Sequence, residues 1–333
     1  MLNKKHSRVG SVFAFIVSGL FIAAAIFILL NKQHVLDQLS VWSFEPTSNI
    51  EEISQKVGFT GKGQFVFYAT KPSVENQESF NKECPRQEAG SPILGCYTTD
   101  DRIYIYNLQN DRLDGMEEVT AAHEMLHAVW VRTSKADQAT LSAQLKAAYD
   151  KLDDAELKKR MDYYQRTEPG EFNNELHSIL GTEVASLGEP LESYYDQYFN
   201  RASVLALQQK YSAVYTALNT RADTLYSEMQ TLAASIESRS STYDAASTQL
   251  QKDIESFNQR ANNGNFTSQS QFNSERNSLI VRTNNLNNDR QTINNDIVTY
   301  NAYYAEYQDI AKQIEVLNNS IDSFKQIDKA PSV

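Results

Sequence analysis

Two histidines four residues apart bracket a glutamate in the run His123-Glu124-Met125-Leu126-His127. On a helix, positions i and i+4 lie one turn apart on the same face, so both imidazoles reach one point in space. That pair suits a zinc ion, and the carboxylate between them suits the removal of a proton from a metal-polarised water. The run therefore points to His123 and His127 as metal ligands, Zn²⁺ as cofactor and Glu124 as general base. The short pattern also arises by chance, and the ordinary alternative is a pair of satisfied core histidines beside a surface glutamate. The neighbours argue against that alternative. Met125, Leu126, Ala128, Val129 and Trp130 are apolar and predict a buried helix. Burying three polar side chains without partners is costly.

A zinc site needs a third protein ligand. The next helical stretch, Glu171 to Leu187, offers Glu171, Glu175, His177 and Glu183. Glu175 and His177 are two apart and project to different sides of a helix, so only one of them reaches the metal. Glu175 is the first choice, with His177 and Glu183 as alternatives.

On these residues the chain resembles the gluzincin branch of the zincin metallopeptidases. There an HExxH helix is followed, tens of residues later, by a helix that supplies a glutamate ligand. Asn174-Glu175 is similar to the Asn-Glu pair of thermolysin-like enzymes. Glu175-Leu176-His177-Ser178 resembles the Glu-aromatic-aromatic-Ala stretch of minimal gluzincins, with Glu183 in the place of their second acidic residue. The resemblance covers roughly residues 100–190. It departs at Ile179, where thermolysin-like enzymes carry an aspartate that orients the first histidine. Val131 to Thr133 supplies neither the glycine nor the histidine of the longer metzincin motif. The resemblance implies peptide hydrolysis, with a tyrosine donor for the oxyanion. Tyr163 and Tyr164 stand at a suitable distance before Glu175, and Tyr164 is the choice; Tyr194, Tyr195 and Tyr198 compete. It also implies a peptide substrate that adds to the strand before the active helix.

The elements that must hold these residues follow from patterning. Met116 to Arg132 is an apolar-periodic helix with Glu117 and Glu118 in its first turn, as the helix dipole favours. Arg102 to Asn107 reads as a strand, which the resemblance implies lies at the edge of the cleft, and Gln64 to Ala69 as a second strand. Helices are expected from Ser134 to before Pro169-Gly170 and from Leu191 to Asn200. The fold class is thus α+β: a mainly helical, zincin-like domain with a small sheet over residues 61–200.

From Val9 to Leu30 the chain is apolar and uncharged, long enough to cross a bilayer. Lys4, Lys5 and Arg8 precede it, which puts the N-terminus in the cytoplasm and the rest outside. A cleaved signal peptide is the alternative, but the apolar run continues past Ala23-Ala24-Ala25. Residues 1–31 are therefore read as a stub and transmembrane anchor, and 32–60 as a stalk. With that topology Cys84 and Cys96 can form a disulfide.

Residues 201–326 read as a coiled coil, with 327–333 as a tail. Leu279, Leu286, Ile293, Tyr300, Tyr307, Ile314 and Ile321 recur every seven residues, with Ile297 and Tyr304 four beyond two of them. Asn262-Asn263-Gly264 signals a turn, so an antiparallel hairpin is the simplest arrangement; a continuous helix that dimerises is the other. A net charge of −11 argues against nucleic acid as a partner. The expected function is a membrane-anchored zinc metallopeptidase acting on a peptide or protein substrate, with the coiled coil engaging a protein partner or a second copy. A membrane-tethered coiled-coil scaffold with a structural or vestigial metal site is the alternative.

Overall fold

A computed structural model describes residues 8–85, 93–167 and 169–323. Lys4, Lys5 and the tail at 327–333 lie outside the described residues. The chain divides into two compact units. One comprises Met1–Val214 and Leu317–Val333, the other Tyr215–Val316.

The first unit is mostly helical around a three-stranded sheet. Helix α1 (Arg8–Leu30) is long and apolar enough to cross a membrane, and none of its Phe13–Leu30 stretch is buried within the protein. Only Asn31 separates it from α2 (Lys32–Ser43). Helix α3 (Ser48–Val57) places Ile50, Ile53 and Val57 in the main core. Residues 32–60 are therefore part of the fold and not a stalk. Spacing of three and four puts those apolar residues on one helical face, which has to be covered.

Residues Gly61–Ala69 form helix α4, where a strand was expected over Gln64 to Ala69. The Thr60 hydroxyl caps it by accepting the Gly63 N–H at 3.1 Å. A short aromatic run suits a buried helix as well as a strand, and the cap decides between them.

The strands β1 (Ser73–Glu75), β2 (Gly95–Tyr97) and β3 (Ile103–Tyr106) lie in the order β1-β3-β2. β3 pairs with β1 in parallel and with β2 antiparallel, with Cys96 opposite Tyr104. The strand expected over Arg102 to Asn107 is therefore central, not an edge. All four of its residues are buried, as a strand covered on both faces requires. The edge nearest the helix Met116–Arg132 is β2, which is only three residues long. A disulfide joins Cys96 in β2 to Cys84, just after helix α5 (Gln77–Glu83).

Helix α6 (Met116–Arg132) runs through the core, with Ala121, Ala122, Met125, Leu126 and Ala128 fully buried. It begins at Gly115, whose φ of 99° a side chain would strain. Helices α7 (Lys135–Tyr149) and α8 (Ala155–Thr167) lead to α9 (Phe172–Glu183), which packs along α6. A Cβ on Gly181 would lie 2.7 Å from Leu126 and 2.6 Å from Tyr195 of α10 (Glu189–Tyr195), so glycine lets α9 approach closely. The first turns of α11 (Arg201–Asn262) belong to this unit through Val204, Leu207 and Tyr211. At the far end of α12 (Gln269–Ile321), the Ser323 carbonyl accepts hydrogen bonds from Gln77 (2.6 Å) and Asn81 (2.7 Å).

The second unit is the helical hairpin formed by the rest of α11 and α12. Its turn contains Gly264 at φ 70°. Phe257, Phe266 and Phe272 cluster there at ring separations of 5.1–5.3 Å. Ion pairs Arg221–Glu306, Arg282–Asp253 and Arg260–Glu275 record the antiparallel register. The seven-residue repeat through Ile293 and Tyr300 turns inward, while Ile297 and Tyr304 are 39% and 51% exposed. The second seam position lies three residues after the first, at Tyr303 and Ile310, rather than four.

Candidate metal centre

The site is built where α6 and α9 run side by side. His123 and His127 stand one turn apart on α6, their ring centroids 4.9 Å apart and nearly perpendicular. Glu175, in the first turn of α9, faces them. Its Oε2 is 3.8 Å from His123 Nε2 and its Oε1 is 3.6 Å from His127 Nε2. All three donor atoms lie within 4.8 Å of one another. Metal–ligand bonds of about 2.0–2.1 Å place tetrahedral ligands about 3.3 Å apart. The two gaps from Glu175 are a few tenths of an ångström wider than that. They are too long for direct hydrogen bonds of about 2.8 Å. Two imidazoles and one carboxylate with this spacing could hold a metal ion, and the donor chemistry fits zinc.

The ring of His127 is oriented by α9. Its Nδ1 lies 2.9 Å from Asn174 Oδ1 and 3.3 Å from the Ser178 hydroxyl. The amide nitrogen of Asn174 donates to Glu171 Oε2 at 2.9 Å. A carboxylate accepts only, so it fixes which way the amide points, and Oδ1 must face the histidine. An amide oxygen also accepts only. His127 therefore carries its proton on Nδ1 and presents the Nε2 lone pair to the triad.

Glu124 is 7% exposed and packs under β2. A Cβ on Gly95 would lie 2.8 Å from Glu124 Cγ and 2.6 Å from Thr120 Cγ2. Only glycine lets the strand come this close. Burial pushes the Glu124 carboxyl up to about 7, helped by the charge of Glu175; His127 and the backbone N–H of Tyr97 pull the other way. A carboxyl balanced near neutrality can take up a proton and give it back. Burial would also raise Glu175, but the imidazoles of His123 and His127 and the guanidinium of Arg160 hold it below the ordinary carboxylate range.

The metal-binding group does not include the other predicted His and Glu ligands. His177 is fully buried on the far side of α9, outside the triad. Its Nε2 is 2.9 Å from the Tyr194 hydroxyl, and its ring stacks on Tyr195 at 5.5 Å. Burial, with lesser contributions from His127 and His123, lowers it to about 3, so it stays neutral. Glu183 pairs with Arg160 at 2.8 Å. Glu171 holds Asn174. Tyr164 sits on α8, partly buried against the main core, 5.8 Å from the ring of Tyr163. Asn174, Ser178, Gly95 and the Tyr97 amide are contributors to which sequence reasoning assigned no role. Asn174 had a signal in its place beside Glu175; Gly95 had none. Compared with protein-family models, curated proteins and solved structures, the chain matches none.

Proposed function

We propose that this chain is a zinc-dependent peptidase of the gluzincin type, anchored in a membrane with its site on the non-cytoplasmic side. The observation that carries the reading is the arrival of Glu175 from α9 opposite His123 and His127, with Glu124 at their side. His123, His127 and Glu175 would hold the ion. A zinc ion held there would polarise a peptide carbonyl and acidify a water molecule. Glu124 accepts a proton from the attacking water as the water oxygen bonds to the carbonyl carbon, and delivers that proton to the amide nitrogen as the C–N bond breaks. Its burial under β2 excludes bulk water, which would otherwise keep it fully ionised.

β2 offers a place for an extended peptide. Leu94 accepts the Tyr106 N–H at 2.8 Å, and Thr98 donates to Arg102 at 2.9 Å. Backbone direction alternates along a strand, so Gly95 and Tyr97 turn theirs away from β3. The Tyr97 N–H is taken by Glu124, which leaves the Gly95 groups and the Tyr97 carbonyl for a substrate backbone. The cytoplasmic N-terminus rests on the cationic Lys4, Lys5 and Arg8 before an apolar helix.

The long hairpin of α11 and α12 favours a second reading, a membrane-tethered scaffold whose metal site is structural. One experiment separates them. Full-length protein in detergent, loaded with zinc, is assayed for metal content and for cleavage of a peptide library. Hydrolysis that disappears in Glu124→Gln at unchanged zinc content supports the peptidase. One bound zinc with no cleavage of any peptide supports the scaffold.

A further inference from the structure

The junction between α1 and the rest of the chain limits where such a site can work. Leu30 ends the apolar helix, Asn31 breaks the helix at φ −116° and ψ 29°, and α2 begins at Lys32. Helix α2 is clamped to the active helix. Asp37, 4% exposed, accepts from Arg132 Nε at 3.0 Å and Nη2 at 2.8 Å. Arg132 also binds Asp101, and Asp101 accepts from the Tyr97 hydroxyl at 2.7 Å. Tyr97 belongs to β2, whose Gly95 backbone packs directly on Glu124. A rigid path therefore runs from the apolar helix to the general base, with no flexible linker in it.

Its length has an upper bound. Asp37 is seven residues beyond Leu30, about 10 Å of helix, and Arg132 is five residues beyond His127, about 7.5 Å. Adding the side chains at the bridge and the reach of an imidazole puts the metal centre no more than roughly 35 Å from Leu30. An extended chain covers that span in about ten residues. Helix α2 also exposes Leu36 (46%), Leu39 (52%) and Trp42 (75%) immediately after the apolar helix. Leucine and tryptophan there suit the headgroup region, where an indole is favoured.

We propose that the substrates are membrane-embedded polypeptides, cut within about ten residues of where they leave the bilayer, while the Leu36–Leu39–Trp42 face rests in the lipid interface. This rests on the peptidase reading and on an uncleaved α1. The test uses full-length protein in liposomes with substrates that carry one transmembrane segment, a semi-rigid proline-rich spacer and a common cleavage sequence. Spacers run from about 5 to about 40 residues, or roughly 15 to 120 Å. Cleavage is expected to fall at least tenfold between the shortest and the longest spacer. A flexible insert of about 30 residues at Asn31 is expected to restore the longest substrate. Equal cleavage at every length overturns the proposal, as does release of the chain from the membrane by cleavage after α1. A second readout does not need activity. In a Trp130→Phe variant, Trp42 emission is expected to be quenched by lipids brominated near the headgroup. No quenching overturns the proposal. If no substrate is cut by wild type, the peptidase reading falls, and with it the substrate class; quenching then still decides whether α2 lies at the interface.

Discussion

Asn174 holds His127 from the opposite helix: its Oδ1 sits 2.9 Å from Nδ1 and leaves Nε2 for the triad. The residue next in the chain, Glu175, supplies the third donor. One turn of α9 thus both completes the site and fixes the tautomer of a histidine 47 residues earlier.

Removing that support should weaken metal binding without abolishing it. Asn174→Ala is expected to lower zinc affinity about 10- to 100-fold, as loss of a hydrogen-bond partner behind a metal-binding histidine typically does. Glu175→Ala should lose more, because a donor atom itself is gone. His177→Phe should keep full zinc stoichiometry, since that ring faces Tyr194 and Tyr195. Competition titration against a chromophoric chelator ranks the three. Weaker binding in His177→Phe than in Glu175→Ala would reverse the assignment.

Gly95 tests the contact between β2 and Glu124. An alanine methyl would sit 2.6 Å from Thr120 and 2.8 Å from Glu124. The strand must move, at about 1–3 kcal/mol of stability by the usual penalty for overpacking. Cleavage should fall further than stability accounts for, while zinc content stays at the wild-type level. Denaturant unfolding and metal analysis on the same preparation check both. An unchanged rate in Gly95→Ala would mean that β2 does not position Glu124.

How far these features can be read from the chain depends on the range of the interaction. His123 and His127 are legible because their spacing and helical geometry coincide. Glu175 is separable from His177 because two residues on a helix turn the side chain about 200°. Gly95 is not legible: its role comes from contact with Thr120 and Glu124, and its strand is too short to show a pattern. Residues 32–60 read as a stalk because the partner of Asp37 is Arg132, 95 residues away. A polar helix looks solvated until its buried ion pair is found. The run Gln64 to Ala69 is ambiguous for another reason, since a short aromatic segment fits either element until the Thr60 cap is seen.

The disulfide anchors the same edge strand from its other side. Cys84 and Cys96 close a loop with a sequence separation of 12, and Cys84 packs with Phe80, Tyr104 and Tyr106. In the chain-entropy model a loop of this size contributes about 3 kcal/mol. Cys84→Ser with Cys96→Ser should lower the urea midpoint accordingly, and reductant should do the same to the wild type but nothing to the double variant. A reductant effect that persists in the double variant would place the stabilisation elsewhere.

The clamp between α2 and α6 predicts an asymmetry. Arg132 and Asp37 are both nearly buried, with side chains 10% and 6% exposed. Arg132→Ala leaves Asp37 a charge without its partner and should destabilise the protein by about 3–5 kcal/mol. Replacing both at once, as Arg132→Met with Asp37→Leu, removes the stranded charge. Asp101 keeps its hydrogen bond from the Tyr97 hydroxyl and is more exposed, at 35%, so it tolerates the loss better. The double variant should therefore recover most of the stability lost by the single one. A double-mutant cycle by urea unfolding of the full chain in detergent measures the coupling. If the double variant is as unstable as Arg132→Ala, the clamp acts through the geometry of its hydrogen bonds to Tyr97 and Ala128, not through charge compensation.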